Sequence, residues 1–182
     1  MKGLVLITNF FEDTEALATV DVLKRAGLEI DLVSLKETKE ITTQYKLKII
    51  CDKLIEEVDP RDYNFLIIPG GRAVMAELVH LENVKEIIHH FAKSEKLVAT
   101  ICAAPLLVGE LGYLADKSYT CFPGCEKTII GGKKKSSGVV KDKNFITAKS
   151  MAYSIDFALT IIEYLLGNDK KKEIKTMIYG EE

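Results

Sequence analysis

Apolar residues along this chain fall into two kinds of run. Short unbroken runs stand at residues 4–7 (Leu4-Val5-Leu6-Ile7) and 65–68 (Phe65-Leu66-Ile67-Ile68), and a third, interrupted only by Thr100, at 97–101. An unbroken run of that length suits a parallel strand covered on both faces. Between them the apolar positions recur at helical spacing. Leu17, Val20 and Leu23, with Ala16 and Ala26 beside them, predict a helix over 15–26 ended by Gly27. Ile87, Ile88 and Phe91 predict another over 84–92, and Phe157, Leu159, Ile161, Ile162 and Leu165 a third over 153–166, ended by Gly167. Residues 29–35 alternate as a second strand, 46–51 form an edge or paired strand, 119–122 a short strand, and 139–140 with 145–147 a hairpin. Residues 36–45 and 131–138 are polar and break the pattern, 53–58 fit a short helical turn, and the charged residues 168–182 fit a short last helix. Strands alternating with helices, without repeat or linker, imply one α/β domain over residues 1–182 with a mostly parallel sheet between two helical layers.

In such sheets functional groups collect where strands end. Residues 9–15, Pro69-Gly70-Gly71 and Cys102 all follow strand ends. Cys102 stands between the strand at 97–101 and a helix expected to start at Ala103. Its second neighbours on either side, Thr100 and Ala104, are small. A sharp strand-to-helix turn needs small neighbours, which is the steric logic of a nucleophile elbow. A thiol above a helix N-terminus would have a lowered pKa. These residues alone equally fit a buried structural cysteine.

Composition narrows the choice of partner. The chain has 182 residues, 47% of them hydrophobic, and a formal net charge of -2. Neither a nucleic-acid nor a membrane partner is expected. Lys133-Lys134-Lys135, between glycines and serines, reads as a solvated loop. No apolar run reaches membrane-spanning length, and Met1 to Ile7 reads as a strand and not as a signal peptide. Cys51, Cys102, Cys121 and Cys125 are expected to be free thiols in a cytoplasmic setting. No metal site is expected, because Cys121-x-x-x-Cys125 lacks paired spacing and nearby histidines.

Five stretches in order carry a resemblance. They are Leu4-Val5-Leu6-Ile7 followed by Glu12-x-x-Glu15, Val20-Asp21-Val22-Leu23-Lys24-Arg25-Ala26-Gly27, Ile68-Pro69-Gly70-Gly71, Ala99-x-Ile101-Cys102-Ala103-Ala104-Pro105, and Tyr153-Ser154-x-Asp156-Phe157-Ala158-Leu159. Over nearly its whole length the chain resembles the DJ-one branch of the ThiJ/PfpI superfamily, the Parkinsonism-associated deglycase-like proteins. The resemblance implies a flavodoxin-like three-layer sandwich and a homodimer without a cofactor. It implies a reactive Cys102 with the Glu15 carboxyl group beside its sulfur, and an oxyanion hole of backbone N–H groups around Gly70, Gly71 and Ala103. It places Arg25, Lys46 and Cys51 near a dimer interface or the pocket, with Cys121 beside them. It implies glutathione-independent glyoxalase or deglycase activity on small 2-oxoaldehydes such as methylglyoxal or on early glycation adducts. The alternative that it implies is an oxidative-stress sensor or redox-regulated chaperone using the same cysteine.

The chain departs from relatives in useful places. Position 103 is Ala where protease-like branches carry His. Phe122 stands before Pro123 where some relatives have His, and Ser150-Met151-Ala152 replaces a Gly-Pro-Gly loop. His80, His89 and His90 surround the helix at 84–92 and read as solvated. Glu15 is therefore the one acid–base group expected near the sulfur. An ionised carboxylate would repel a thiolate, so Glu15 is expected to be protonated and to donate to it. Without a histidine, a peptidase is not expected.

Overall fold

The computed structural model describes residues 1–180. Its central sheet grows from the apolar runs. Strands β1 (Lys2–Ile7), β2 (Glu29–Ser34), β5 (Lys53–Leu54), β6 (Phe65–Ile68), β7 (Leu97–Ile101), β10 (Val139–Asp142) and β11 (Phe145–Ala148) form it in the order β10-β11-β7-β6-β1-β2-β5. Every pairing is parallel except β10 with β11. Two ribbons stand apart: β3 (Glu40–Thr42) pairs with β4 (Lys48–Ile50), and β8 (Ser118–Tyr119) with β9 (Lys133–Lys134).

Six helices surround the sheet: α1 (Asp13–Arg25), α2 (Arg72–Ala76), α3 (Glu82–Lys93), α4 (Pro105–Glu110), α5 (Ser154–Leu166) and α6 (Asn168–Tyr179). Side chains alternate across a strand, so β1 feeds two cores. Val5 and Ile7 join Phe65, Ile67, Phe157 and Ile161 beneath α1 and α5. Leu4 and Leu6 join Leu66, Ile68, Ile88 and Phe91 beneath α3. This is the expected three-layer sandwich, with β6, β1 and β7 doubly buried at its centre.

Several local expectations differ from the fold. The polar stretch 36–45 contains β3, because Ile41 is a single apolar anchor, fully buried, and one residue sets no period. Residues 53–58 open as a two-residue strand beside β2 before a 3₁₀ turn at Ile55–Glu57. Lys133 and Lys134 form β9 where a loop was expected. The strand expected at 119–122 stops at Tyr119, and the Phe122 N–H donates instead to the Cys102 carbonyl at 2.7 Å. Helix α4 begins at Pro105 and has only six residues. The charged tail forms α6, anchored by the buried Ile174; residues 181–182 of the expected last helix lie outside the described residues.

Candidate active site

Strands β1, β6 and β7 run parallel and end on one edge of the sheet. The loops that follow them therefore meet. The loop after β7 runs over only three residues, Cys102 to Ala104, and opens in an unusual conformation: Cys102 has φ +65°. A side chain in the left-handed region costs on the order of 1 kcal/mol and persists where the surroundings over-determine it. Here the Cys102 N–H donates to the Ala148 carbonyl at 2.9 Å, and the Cys102 carbonyl receives Phe122. Both peptide groups flanking the thiol are thus fixed, and the turn is the expected elbow.

The loop after β6 supplies two glycines with different work. A Cβ on Gly70 would stand 2.7 Å from both Cys102 Cβ and Glu15 Oε2. A bare α-carbon here lets thiol and carboxyl approach from two sides. Gly71 has φ +93°, and a Cβ there would meet the backbone of Glu12 at 2.5 Å. The Gly71 and Ala103 N–H groups act on the Cys102 sulfur and favour its anion. Gly70 does not join that hole as expected: its N–H donates to Glu15 Oε2 at 2.8 Å.

Helix α1 carries Glu15 in its first turn. Glu12 caps this helix, its Oε2 accepting from the Glu15 N–H at 2.8 Å. The cap sets the rotation of the first turn and with it the direction of the Glu15 side chain. Glu15 is fully buried. With Oε2 held by Gly70, its Oε1 makes no hydrogen bond of good geometry. Oε1 is thus unpaired inside the site, where the Cys102 thiol is the neighbouring titratable group.

Burial pushes the Glu15 carboxyl up to about 7; Cys102 and the Gly70 N–H pull it back down, and Glu12 adds a small push upward. The Cys102 thiol is also pushed up, first by burial and then by the charge on Glu15, against the pull of the Gly71 and Ala103 N–H groups. The lowered thiol pKa expected from a helix N-terminus is therefore not found. A six-residue helix starting three residues later carries little dipole to the sulfur. The repulsion acts only while Glu15 is ionised, so the two groups titrate as a pair. With one proton between them the site has two arrangements of equal net charge. In one, a thiolate lies beside a neutral carboxyl that donates to it.

The pair opens into a cavity of about 720 Å³, walled by Tyr45, Met75, Phe122 and Met151, with Arg72 and Cys125 also on its lining. Arg25, Lys46, Cys51 and Cys121 are not among the lining residues. Arg25 is exposed on the last turn of α1 and paired with Asp21 at 2.8 Å. Lys46 is exposed at the tip of the β3–β4 hairpin, with φ +69°. Cys51 and Cys121 are buried in the chain's own cores, and burial pushes each thiol up to about 11. Both are almost fully covered within the chain itself. Cys125, Tyr45 and Met75 had no motif to announce them; Met75 reaches the cavity from the short helix α2, Tyr45 from the β3–β4 turn, and Cys125 from a turn held by its N–H bond to the Phe122 carbonyl.

No histidine lines the cavity among the described residues. The histidines are also less solvated than expected. His89 Nδ1 lies 2.7 Å from the Tyr113 hydroxyl, and His90 Nε2 is buried without a partner; only His80 is exposed. No group of three metal-ligating side chains is present among the described residues, and no helix among them is long and apolar enough to cross a membrane.

Residues 1–164 match the DJ-1/PfpI family. The chain belongs to that family. Protein DJ-1 homolog B of Arabidopsis thaliana is 32% identical over 168 residues, which are 92% of this chain and 38% of the plant protein. The Parkinson disease protein 7 homolog of Danio rerio is 28% identical over 178 residues, covering 96% of this chain and 94% of that one. A crystal structure of a C103A mutant of a DJ-1 superfamily protein from Salmonella typhimurium superposes with a TM-score of 0.91 at 27% identity, over 98% of this chain and 97% of that one. The family's sandwich is thus the fold found here. Within the family, the chain supplies Phe122 and Cys125 on the cavity wall, with no histidine near the sulfur.

Proposed function

We propose that the protein is a cysteine-dependent, glutathione-independent glyoxalase or deglycase-like enzyme acting on small 2-oxoaldehydes, of which methylglyoxal is the simplest. The observation that carries this reading is the buried Glu15 carboxyl, poised near neutrality beside a thiol on a strained elbow. A group that must both give and take protons works best with a pKa near the working pH.

The steps use only these residues. The Cys102 thiolate attacks the aldehyde carbon, forming a C–S bond, and the carbonyl electrons move to oxygen. The Gly71 and Ala103 N–H groups stabilise that oxyanion, and the proton held by Glu15 completes the hemithioacetal. As the hydroxyl proton passes from one oxygen to the other, Glu15, now ionised, removes the hydrogen from the former aldehyde carbon, giving an enediolate. It returns the proton to the neighbouring carbon, which leaves a thioester of the 2-hydroxyacid. Water cleaves the thioester and restores the thiol. The sum is one aldehyde and one water to one 2-hydroxyacid, with no outside oxidant or reductant.

Peptide hydrolysis fits less well. It needs one group to activate the thiol and then protonate an amine leaving group. Glu15 is held at Oε2 by the Gly70 N–H, and no histidine lines the cavity among the described residues to share that work.

The test is incubation with methylglyoxal without glutathione, following lactate. Lactate formation by the wild type that is lost in Cys102→Ser supports the reading. Equal formation by both, or by neither, refutes it.

A further inference from the structure

The cavity is far larger than a three-carbon aldehyde needs. Its volume of about 720 Å³ falls within the range of pockets that enclose drug-sized ligands. Its walls are also apolar in an unusual way. Tyr45, Met75, Phe122 and Met151 come from four separate loops or short helices, and each is between 46% and 67% exposed. Large apolar side chains scattered singly over a surface need no explanation, whereas four converging on one opening do. Some of the polar groups on the lining are already engaged, while the Arg72 side chain and the Ser150 hydroxyl stand at its edge. Gln44 Oε1 accepts from the Arg72 N–H at 2.8 Å, and the Gln44 N–H donates to the Phe11 carbonyl. Glu12 Oε2 caps α1, and Glu15 Oε2 is bound by Gly70. Apolar surface predominates on the walls, so they offer more to an alkyl or aryl group than to the hydroxyls of a sugar chain.

From this we infer that the preferred substrates are 2-oxoaldehydes bearing a bulky apolar substituent, bound with the oxoaldehyde head at Cys102 and the apolar tail against Tyr45, Met75, Phe122 and Met151. This rests on the glyoxalase reading of Cys102, and it selects among the substrates which that reading allows. The chemistry is unchanged: each substrate takes up one water and becomes the corresponding 2-hydroxyacid, and the tail contributes only binding.

The experiment compares kcat/KM for methylglyoxal, for 2-oxohexanal and for 3-deoxyglucosone, which has the same carbon count as 2-oxohexanal but carries hydroxyls. Each buried methylene is worth roughly a fourfold gain in binding. At an open cavity, 2-oxohexanal should exceed methylglyoxal at least about tenfold, mainly through KM, and 3-deoxyglucosone should not. The double variant Met75→Ser, Met151→Ser alters exposed positions and should bring the 2-oxohexanal value back toward that of methylglyoxal. Cys102-dependent turnover of methylglyoxal with no gain for 2-oxohexanal, or a gain for 3-deoxyglucosone of the same size, overturns the inference and leaves the glyoxalase reading intact. If no aldehyde is converted, that reading falls. The cavity's preference is then judged by alkylation of Cys102: equal rates with iodoacetamide and its N-hexyl derivative overturn it as well.

Discussion

Replacing Glu15 with Gln should stabilise this protein above neutral pH, although it alters a fully buried residue. The carboxyl goes from an unfolded value near 4.5 to about 7 in the fold, chiefly through burial. A group with a raised folded pKa binds its proton more tightly in the native state. Its contribution is fully present below pH 4.5, fades as pH rises, and is lost above about 7. The difference of some two and a half pKa units corresponds to about 3 kcal/mol at alkaline pH. Glutamine avoids that cost because it never ionises, and its carbonyl oxygen can still accept from the Gly70 N–H. Urea unfolding of wild type and Glu15→Gln at about pH 4.5 and about pH 8.5 measures the effect. The two should be nearly equal at the lower pH, and the variant more stable by about 2–3 kcal/mol at the higher. In a thermal scan this corresponds to roughly 5–10 °C for a chain of this size. A gap that is the same at both values, or a variant that loses stability relative to wild type as pH rises, refutes a buried carboxyl with a raised pKa.

Other outcomes follow from the same geometry. Iodoacetamide should label Cys102 first of the four thiols, since Cys51 and Cys121 are buried and Cys125 has no carboxyl partner of the Glu15 kind; peptide mapping that finds Cys51, Cys121 or Cys125 first contradicts this. Gly70→Ala should abolish lactate formation from methylglyoxal and cost about 1–3 kcal/mol of stability, because the new Cβ meets the Cys102 side chain and Glu15 Oε2, each at 2.7 Å; an active variant of wild-type stability would overturn the close-approach argument. We propose a homodimer with exposed Arg25 and Lys46 at or near its interface, a reading that rests on the family; sedimentation of a monomer at micromolar concentration contradicts it.

The sequence made the centre of the sheet legible because burial on both faces writes an unbroken or nearly unbroken apolar run. Leu97–Ile101 was readable to its ends for that reason, as were Phe65–Ile68 and the Gly27 and Gly167 stops. The ribbons were not readable. A two-residue strand such as Lys133–Lys134 is fixed by backbone pairing to Ser118 and Tyr119, and its side chains are exposed lysines. At the site, Cys102, Glu15 and Gly71 stood out because strand ends and small residues mark them. The use of Gly70 was hidden: whether a backbone N–H serves an oxyanion or a carboxylate depends on where a helix fifty-five residues earlier points its first turn. The thiol's raised pKa was hidden for a similar reason. It depends on burial and on the brevity of α4, and a helical period cannot reveal a six-residue helix. Cys125 and Tyr45 reach the cavity from turns, and Met75 from the five-residue helix α2, whose directions no local pattern encodes.

The central claim is that Cys102 and Glu15 share a proton and that the reactive arrangement is a thiolate beside a neutral Glu15. Thiolate absorbance, taken as the difference between wild type and Cys102→Ser across pH, tests it most directly, with Glu15→Leu as the partner measurement. The account predicts a thiolate step in the wild type that accompanies loss of the pair's first proton and falls well below that of the buried Cys51 and Cys121 thiols. It predicts that Glu15→Leu moves the step up by about one to two pKa units, because a charge-assisted hydrogen bond to the anion is lost. A wild-type thiol that ionises only above about pH 10, and at lower pH once Glu15 is removed, would show that Glu15 acts as an ionised neighbour and would contradict the account.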